Sequence, residues 1–273
     1  MGDRVTYPAL DVRPDNTDLL LALVDDFSPT AIEERNDVVR VFFPSAAVRD
    51  AARAQLERHF DVAAVDVPDE EWARRSQENL PPVTVGRITI FPNPPNPESP
   101  IPSPICLTIP PSMGFGTGHH ATTRLCLAAL QAIDLTGAKV LDAGTGSGIL
   151  AIAAARLGAS RAIGIDDDAD AIQAARENLA LNPADGVTFE VGDLRTAPLS
   201  MADVVTANLT GALLTRSASI LRAAVRPGGT LILSGLQSHE RDEVVQAFGD
   251  VTLVWHREED GWVGLNLLAA NPV

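Results

Sequence analysis

The chain has 273 residues, of which 45% are hydrophobic and 21% charged, a balance that supports a folded core and excludes wholesale disorder. Its 21 basic and 36 acidic residues give a net charge of −15, which argues against a broad phosphate-binding surface for nucleic acid, since that needs clustered Lys and Arg. Two cysteines, Cys106 and Cys126, make neither a disulfide framework nor a zinc cluster, and neither an apolar signal core nor a membrane-length apolar run occurs. The expectation is a cytoplasmic protein with no bound metal and no membrane contact.

The first third alternates short apolar runs and helical periodicity. A strand at Tyr7–Val12 precedes a helix at Thr17–Phe27, strands at Ile32–Arg35 and Val38–Phe43, a helix from Ser45 to His59 and a strand at Val62–Val67. That order, βαββαβ, is the split βαβ unit of a small α+β domain. A short helix at Glu70–Glu78 and a strand pair within Val83–Phe91 complete it. Between Pro92 and Pro104 prolines recur among Asn, Glu and Ser, a composition that forbids helix and internal strand and predicts an extended connector. Domains are therefore expected at 1–91 and 105–273, joined by a linker at 92–104.

Downstream, strand and helix alternate regularly. Strands are predicted at Lys139–Asp142, Ala162–Asp166, Val187–Val191, Asp203–Asn208 and Thr230–Ser234, with helices at Ile149–Leu157, Ala169–Leu181, Ala212–Val225 and Glu240–Phe248. Parallel strands joined by crossover helices give a doubly wound sheet. The end differs: Val251–Arg257 and Trp262–Leu268 flank an Asp260-Gly261 turn, a strong hairpin signal.

Three segments carry chemistry. The first, Asp142, Gly144, Gly146 and Gly148, follows a strand and opens a helix, where glycines admit a ligand close to the backbone and helix N–H groups are free. Asp166, twenty residues beyond Gly146 and at the end of the next strand, can accept both hydroxyls of a ribose, while Asp167 or Asp168 caps the following helix. A dinucleotide fingerprint wants its third glycine at position 149, where Ile149 stands; the spacing through Gly148 instead matches loops that bind S-adenosylmethionine.

The second segment, Met113 to Thr123, holds Gly114, Gly116 and Gly118 before His119 and His120, with no Cys or carboxylate at metal-ligand spacing. The third ends a strand at Asn208, on the edge where a transferred group is expected. Methyl transfer needs a neutral, oriented nitrogen, and an Asn carbonyl can accept an amine N–H and aim its lone pair. A lysine of ordinary pKa loses its proton at a cost of roughly 4 to 5 kcal/mol at pH 7, against about 1 for an α-amine, so N-terminal amines are the cheaper target.

These residues resemble the PrmA group of methyltransferases, which methylate ribosomal protein L11 with S-adenosylmethionine. The resemblance covers most of the chain. It is carried by Asp69 to Trp72, Pro82 to Arg87, the Gly114 to Gly118 loop with His120, Thr122 and Thr123, and Asn208. It implies a seven-stranded Rossmann-like domain preceded by a ferredoxin-like domain that recognises the basic ribosomal protein and swings on its linker. Phe115, Gly116, Thr117, Thr123, Asp142, Gly144, Gly146, Gly148, Asp166 and Asn208 take the cofactor-contacting positions, with Asn208 also beside the acceptor amine. The chain departs from the family pattern at His119, Ala121 and Leu209-Thr210. Other readings are a methyltransferase for another protein lysine or a small amine, an NAD-dependent oxidoreductase, and a non-catalytic cofactor-binding module.

Overall fold

A computed structural model describes residues 6–14, 20, 23–24, 27, 29–35, 38–68, 81–95, 103–110, 118–194 and 199–271. The chain forms two compact units, Met1–Asn79 and Leu80–Val273.

In the first unit, β1 (Thr6–Arg13), β2 (Ala31–Arg35), β3 (Val38–Phe42) and β4 (Asp61–Pro68) form one antiparallel sheet in the order β2-β3-β1-β4. The one fully described helix, α1 (Ala46–Leu56), is capped by Ser45, whose side chain accepts the Val48 N–H at 3.3 Å. Alternation along β1 sends Leu10 and Val12 into a core with Val41, Phe43, Leu20, Val24, Ala52 and Leu56. Ala9 packs on Phe42 and Val67 from the other face, where Asp11 and Arg40 also pair across the strands at 2.5 and 2.6 Å. Sheet order and direction are those of a ferredoxin-like unit. The helix expected at Thr17–Phe27 falls mostly, and that at Glu70–Glu78 wholly, outside the described residues.

The boundary expected at 91/92 falls instead between Asn79 and Leu80. The strand pair is present as β5 (Val83–Val85) and β6 (Ile88–Phe91), but β6 pairs in parallel with an unforeseen strand, β7 (Ile105–Thr108). The Pro-rich stretch thus joins two neighbouring strands of the second unit rather than two domains. Apolar burial decides this: Ile88, Ile90, Leu107 and Ile109 sink into the second unit's core.

That core surrounds a seven-stranded sheet of order β10-β9-β8-β11-β12-β14-β13. Its strands are β8 (Lys139–Ala143), β9 (Arg161–Asp166), β10 (Val187–Val191), β11 (Ala202–Asn208), β12 (Val225–Gln237), β13 (Val251–Glu259) and β14 (Trp262–Ala269). All but β14 run parallel to β8; β14 is antiparallel to both its neighbours, so β13 returns to the common direction. Helices α2 (Ala121–Leu130), α3 (Ile149–Arg156) and α4 (Ala169–Leu181) cover one face, and α5 (Gly211–Ala224) and α6 (Arg241–Ala247) the other. β8 shows why: Val140 points into the first apolar cluster, Leu141 and Ala143 into the second. Asp260 (φ 52°) and Gly261 (φ 77°) make the two-residue hairpin turn. β12 extends beyond its expected bounds at both ends, and α6 begins one residue later than expected, after a 3₁₀ turn at Ser238–Glu240. No described helix is long and apolar enough to cross a membrane.

Candidate active site

Strand order reverses at β8, with β9 and β10 on one side and β11 and β12 on the other. Ligands of doubly wound sheets bind in the crevice outside the carboxyl ends of the strands at such a point. A pocket of about 570 Å³ lies there, lined among others by Gly144, Gly146, Asp166, Asp193, Asn208 and Arg216.

The loop after β8 needs its glycines. Gly144, Gly146 and Gly148 adopt φ of 71°, 51° and 78°, left-handed values that side chains disfavour. Gly144 and Thr145 donate their N–H groups to the Ile165 carbonyl at 2.8 and 3.0 Å, which lays the loop against the end of β9. Gly144 and Gly146 face the pocket. Gly148 serves packing instead, since at the N-cap of α3 a Cβ would lie 2.7 Å from Phe189 and 2.9 Å from Ala175.

Asp166 is held from two sides. Its Oδ2 accepts the Gly146 N–H at 2.8 Å and its Oδ1 accepts the Asp168 N–H at 3.1 Å. Capping of α4 falls to Asp168, which accepts the Asp170 N–H at 2.8 Å. Each Asp166 oxygen therefore keeps acceptor capacity toward the pocket, enough for a vicinal diol.

Asp142 does not line the pocket. It is 1% exposed beneath the loop, accepting the hydroxyls of Thr145 and Thr206, each at 2.6 Å. Burial pushes its carboxyl up to about 6, against those two hydrogen bonds, which favour the ionised form. The geometry makes it a post under the glycine turn.

Asn208 ends β11 at the pocket edge, and its Nδ2 lies 3.5 Å from Oγ1 of Thr123. Thr123 is fully buried in the first turn of α2, so it stands behind Asn208 and does not line the pocket. Directing the amide N–H₂ toward Thr123 leaves Oδ1 as the free acceptor. Phe115, Gly116 and Thr117 lie outside the described residues.

The two histidines have local partners. His120 caps α2, with Nδ1 at 2.8 Å from the Thr122 hydroxyl and its ring edge-on to Trp262 at 5.1 Å. His119 Nε2 lies 3.1 Å from the Pro81 carbonyl. Arg124 pairs with Glu259 at 2.6 Å and also donates to the His119 carbonyl, tying α2 to the β13–β14 hairpin. No cluster of three or more metal-ligating side chains occurs among the described residues.

Sequence reasoning missed part of the lining. Asp193 and Leu194 follow β10, and Leu213, Arg216 and Ser217 present one face of α5 to the same crevice. Their only sequence signals were a carboxylate just past a strand and i, i+3, i+4 spacing on a helix. Arg216 is the sole cation of the lining and makes no ion pair or hydrogen bond among the described residues.

Comparison with known proteins points the same way. Residues 25–269 match the protein family described as ribosomal protein L11 methyltransferase (PrmA). A ribosomal protein L11 methyltransferase of Geobacter sulfurreducens is 40% identical over 259 residues, covering 88% of this chain and 84% of that protein. One from Azotobacter vinelandii is 41% identical over 202 residues, covering 73% and 68%. Among solved structures, a ribosomal protein L11 methylase from Lactobacillus delbrueckii subsp. bulgaricus superposes with a TM-score of 0.63 at 25% identity, over 70% of this chain and 98% of the other.

Proposed function

This chain belongs to the ribosomal protein L11 methyltransferase family, and from that premise we propose that it transfers methyl groups from S-adenosylmethionine to amines of ribosomal protein L11. The observation that carries this reading is the placement of Asp166 and Asn208 on either side of the glycine loop in one pocket.

The residues present fit the donor. The pocket's size falls within the ordinary range for small ligands, two glycines bring bare backbone to its wall, and an anchored carboxylate stands where a ribose would sit. The carboxylates of Asp166, Asp167, Asp168 and Asp193 give the site a negative field suited to a cationic donor. When bound, S-adenosylmethionine supplies a methyl group on positively charged sulfur, open to in-line attack by a nitrogen lone pair.

Each protein group then has a defined role. Asp166 accepts the ribose hydroxyls, held in place by the Gly146 and Asp168 N–H groups. Gly144 and Gly146 let the methionine portion lie against the loop. Asn208, its Nδ2 turned to Thr123, offers Oδ1 to an acceptor N–H and so aims the lone pair. Acceptors must arrive neutral, which favours an α-amine and asks more of lysine side chains. No residue of the lining need form a covalent intermediate.

The N-terminal unit is assigned to recognition of the ribosomal protein, and the net charge of −15 suits a basic partner. The test is incubation of the full chain with labelled S-adenosylmethionine and a complete set of ribosomal proteins. Label on L11 is the expected result. Label on other proteins and never on L11 would overturn the substrate assignment.

A further inference from the structure

The apolar face of α4 is interrupted by two amides. Ile172, Ala175, Asn178 and the C-capping Asn182 follow one another along its buried side, with the asparagines 5% and 3% exposed. Ile172 and Ala175 belong to the main apolar core together with Leu107 and Ile109, and Leu179 packs against it. Leucine at both positions would match that environment, so the amides call for a reason.

Their hydrogen bonds supply it. Asn178 Nδ2 donates to the Ser147 carbonyl at 2.8 Å. Asn182 Nδ2 donates to the Asn178 carbonyl and to the Thr108 carbonyl, each at 2.7 Å, while its Oδ1 accepts the Thr108 N–H at 2.6 Å. One side chain thereby bonds both backbone groups of Thr108, as a neighbouring strand would, at the end of β7. Ser147 stands between Gly146, whose N–H holds Asp166, and Gly148, which caps α3. A continuous path therefore runs from β7 through α4 to the carboxylate that the proposed function assigns to the ribose.

We propose that Asn178 and Asn182 are positioning residues of the donor site: by fixing the Ser147 carbonyl against β7 they set the glycine turn, and through it Asp166, before donor arrives. The inference rests on the reading of this pocket as a donor site. Neither asparagine lines the pocket, so both act through the loop.

The experiment uses the full chain and its Asn178→Leu variant, with two readouts. Hydrogen exchange of the peptide spanning 144–149, measured without ligand, is expected to speed up at least tenfold in the variant while β12 stays protected. Titration with S-adenosylhomocysteine is expected to give about tenfold weaker binding, and steady-state kinetics a raised KM for the donor with the acceptor KM unchanged. Unchanged exchange would overturn the proposal, as would faster exchange with undiminished binding. If the unaltered chain binds no S-adenosylhomocysteine, the donor-site reading and the donor role proposed for the asparagines fall together, whereas undiminished binding in the variant alone removes only that role. Should Asn178→Leu fail to fold, Asn178→Ala removes the same amide with less steric demand and is read in the same way.

Discussion

The Asp166 carboxylate accepts the Gly146 N–H at 2.8 Å, so the acid ending β9 and the glycine loop after β8 are one rigid unit. Asp166→Ala removes both this strut and the proposed ribose contact. Calorimetric titration with S-adenosylhomocysteine is expected to show a loss of roughly 1.5 to 3 kcal/mol, the scale of hydrogen bonds to a charged group. Asp166→Asn retains one acceptor oxygen and should lose less.

Asn208 and Thr123 are joined at 3.5 Å, and only Asn208 reaches the pocket. Asn208→Ala is expected to lower kcat with little change in the donor KM, as removal of an orienting contact should. Thr123→Val frees the amide to rotate, and its kcat should fall by a smaller factor. Steady-state kinetics at saturating donor separate the two; unchanged turnover in Asn208→Ala would remove it from the mechanism.

Asp142 gives a pH signature. Its folded-state pKa is raised to about 6 by burial, above the ordinary carboxylate value, so the folded state holds the proton more tightly than the unfolded one. Stability from this group is present below about pH 4 and is lost as pH rises to about 6. A shift of that size corresponds to about 2 to 3 kcal/mol. Asp142→Asn removes the titration. Urea unfolding at pH 4 and 7.5 should therefore show the variant gaining on the unaltered chain by that amount as pH rises; a constant difference would contradict the buried, proton-holding role.

The sheet was legible in the sequence because its signals are local. The β-α alternation from Lys139 onward and the Asp260-Gly261 turn each declare themselves within a few residues, as does the Asp168 cap of α4. β7 was not legible: it has four residues between Pro104 and Pro110, and its parallel partner β6 leaves no hairpin signal. The Pro-rich stretch showed that helix and strand stop there but not which core claims the strands around it. At the site, Asp166 and Asn208 could be found because each ends a strand. Asp193 and Arg216 could not, since their convergence exists only after α5 packs across the sheet. Asp142 and Gly148 carry the right motif pattern, yet they serve the loop from beneath.

Gly148 and Gly249 form a matched test of that last point. Both have positive φ, 78° and 69°, but a Cβ at Gly148 would meet Phe189 and Ala175, while nothing lies within 4 Å of one at Gly249. Gly249→Ala should cost about 1 kcal/mol, the backbone penalty alone. Gly148→Ala should cost a further 1 to 3, roughly, from overpacking. Equal losses in denaturant unfolding would refute the packing role.

Lys139 is the single lysine of the chain, and it begins β8 at the end opposite the glycine loop. Four strand steps of about 3.3 Å put its backbone some 13 Å from the crevice, at the amino-terminal ends of the strands. Incubation with labelled donor alone should leave Lys139 unmodified by peptide mass spectrometry. Rapid labelling there, independent of protein concentration, would contradict a donor site at the carboxyl ends of the strands.

The most direct test is a crystal structure of the chain with S-adenosylhomocysteine. The predicted result has the ribose hydroxyls on Asp166, the amino-acid portion along Gly144 and Gly146, and the sulfur on the side of Asn208. Nucleoside density elsewhere, or sulfur turned away from Asn208, would contradict it.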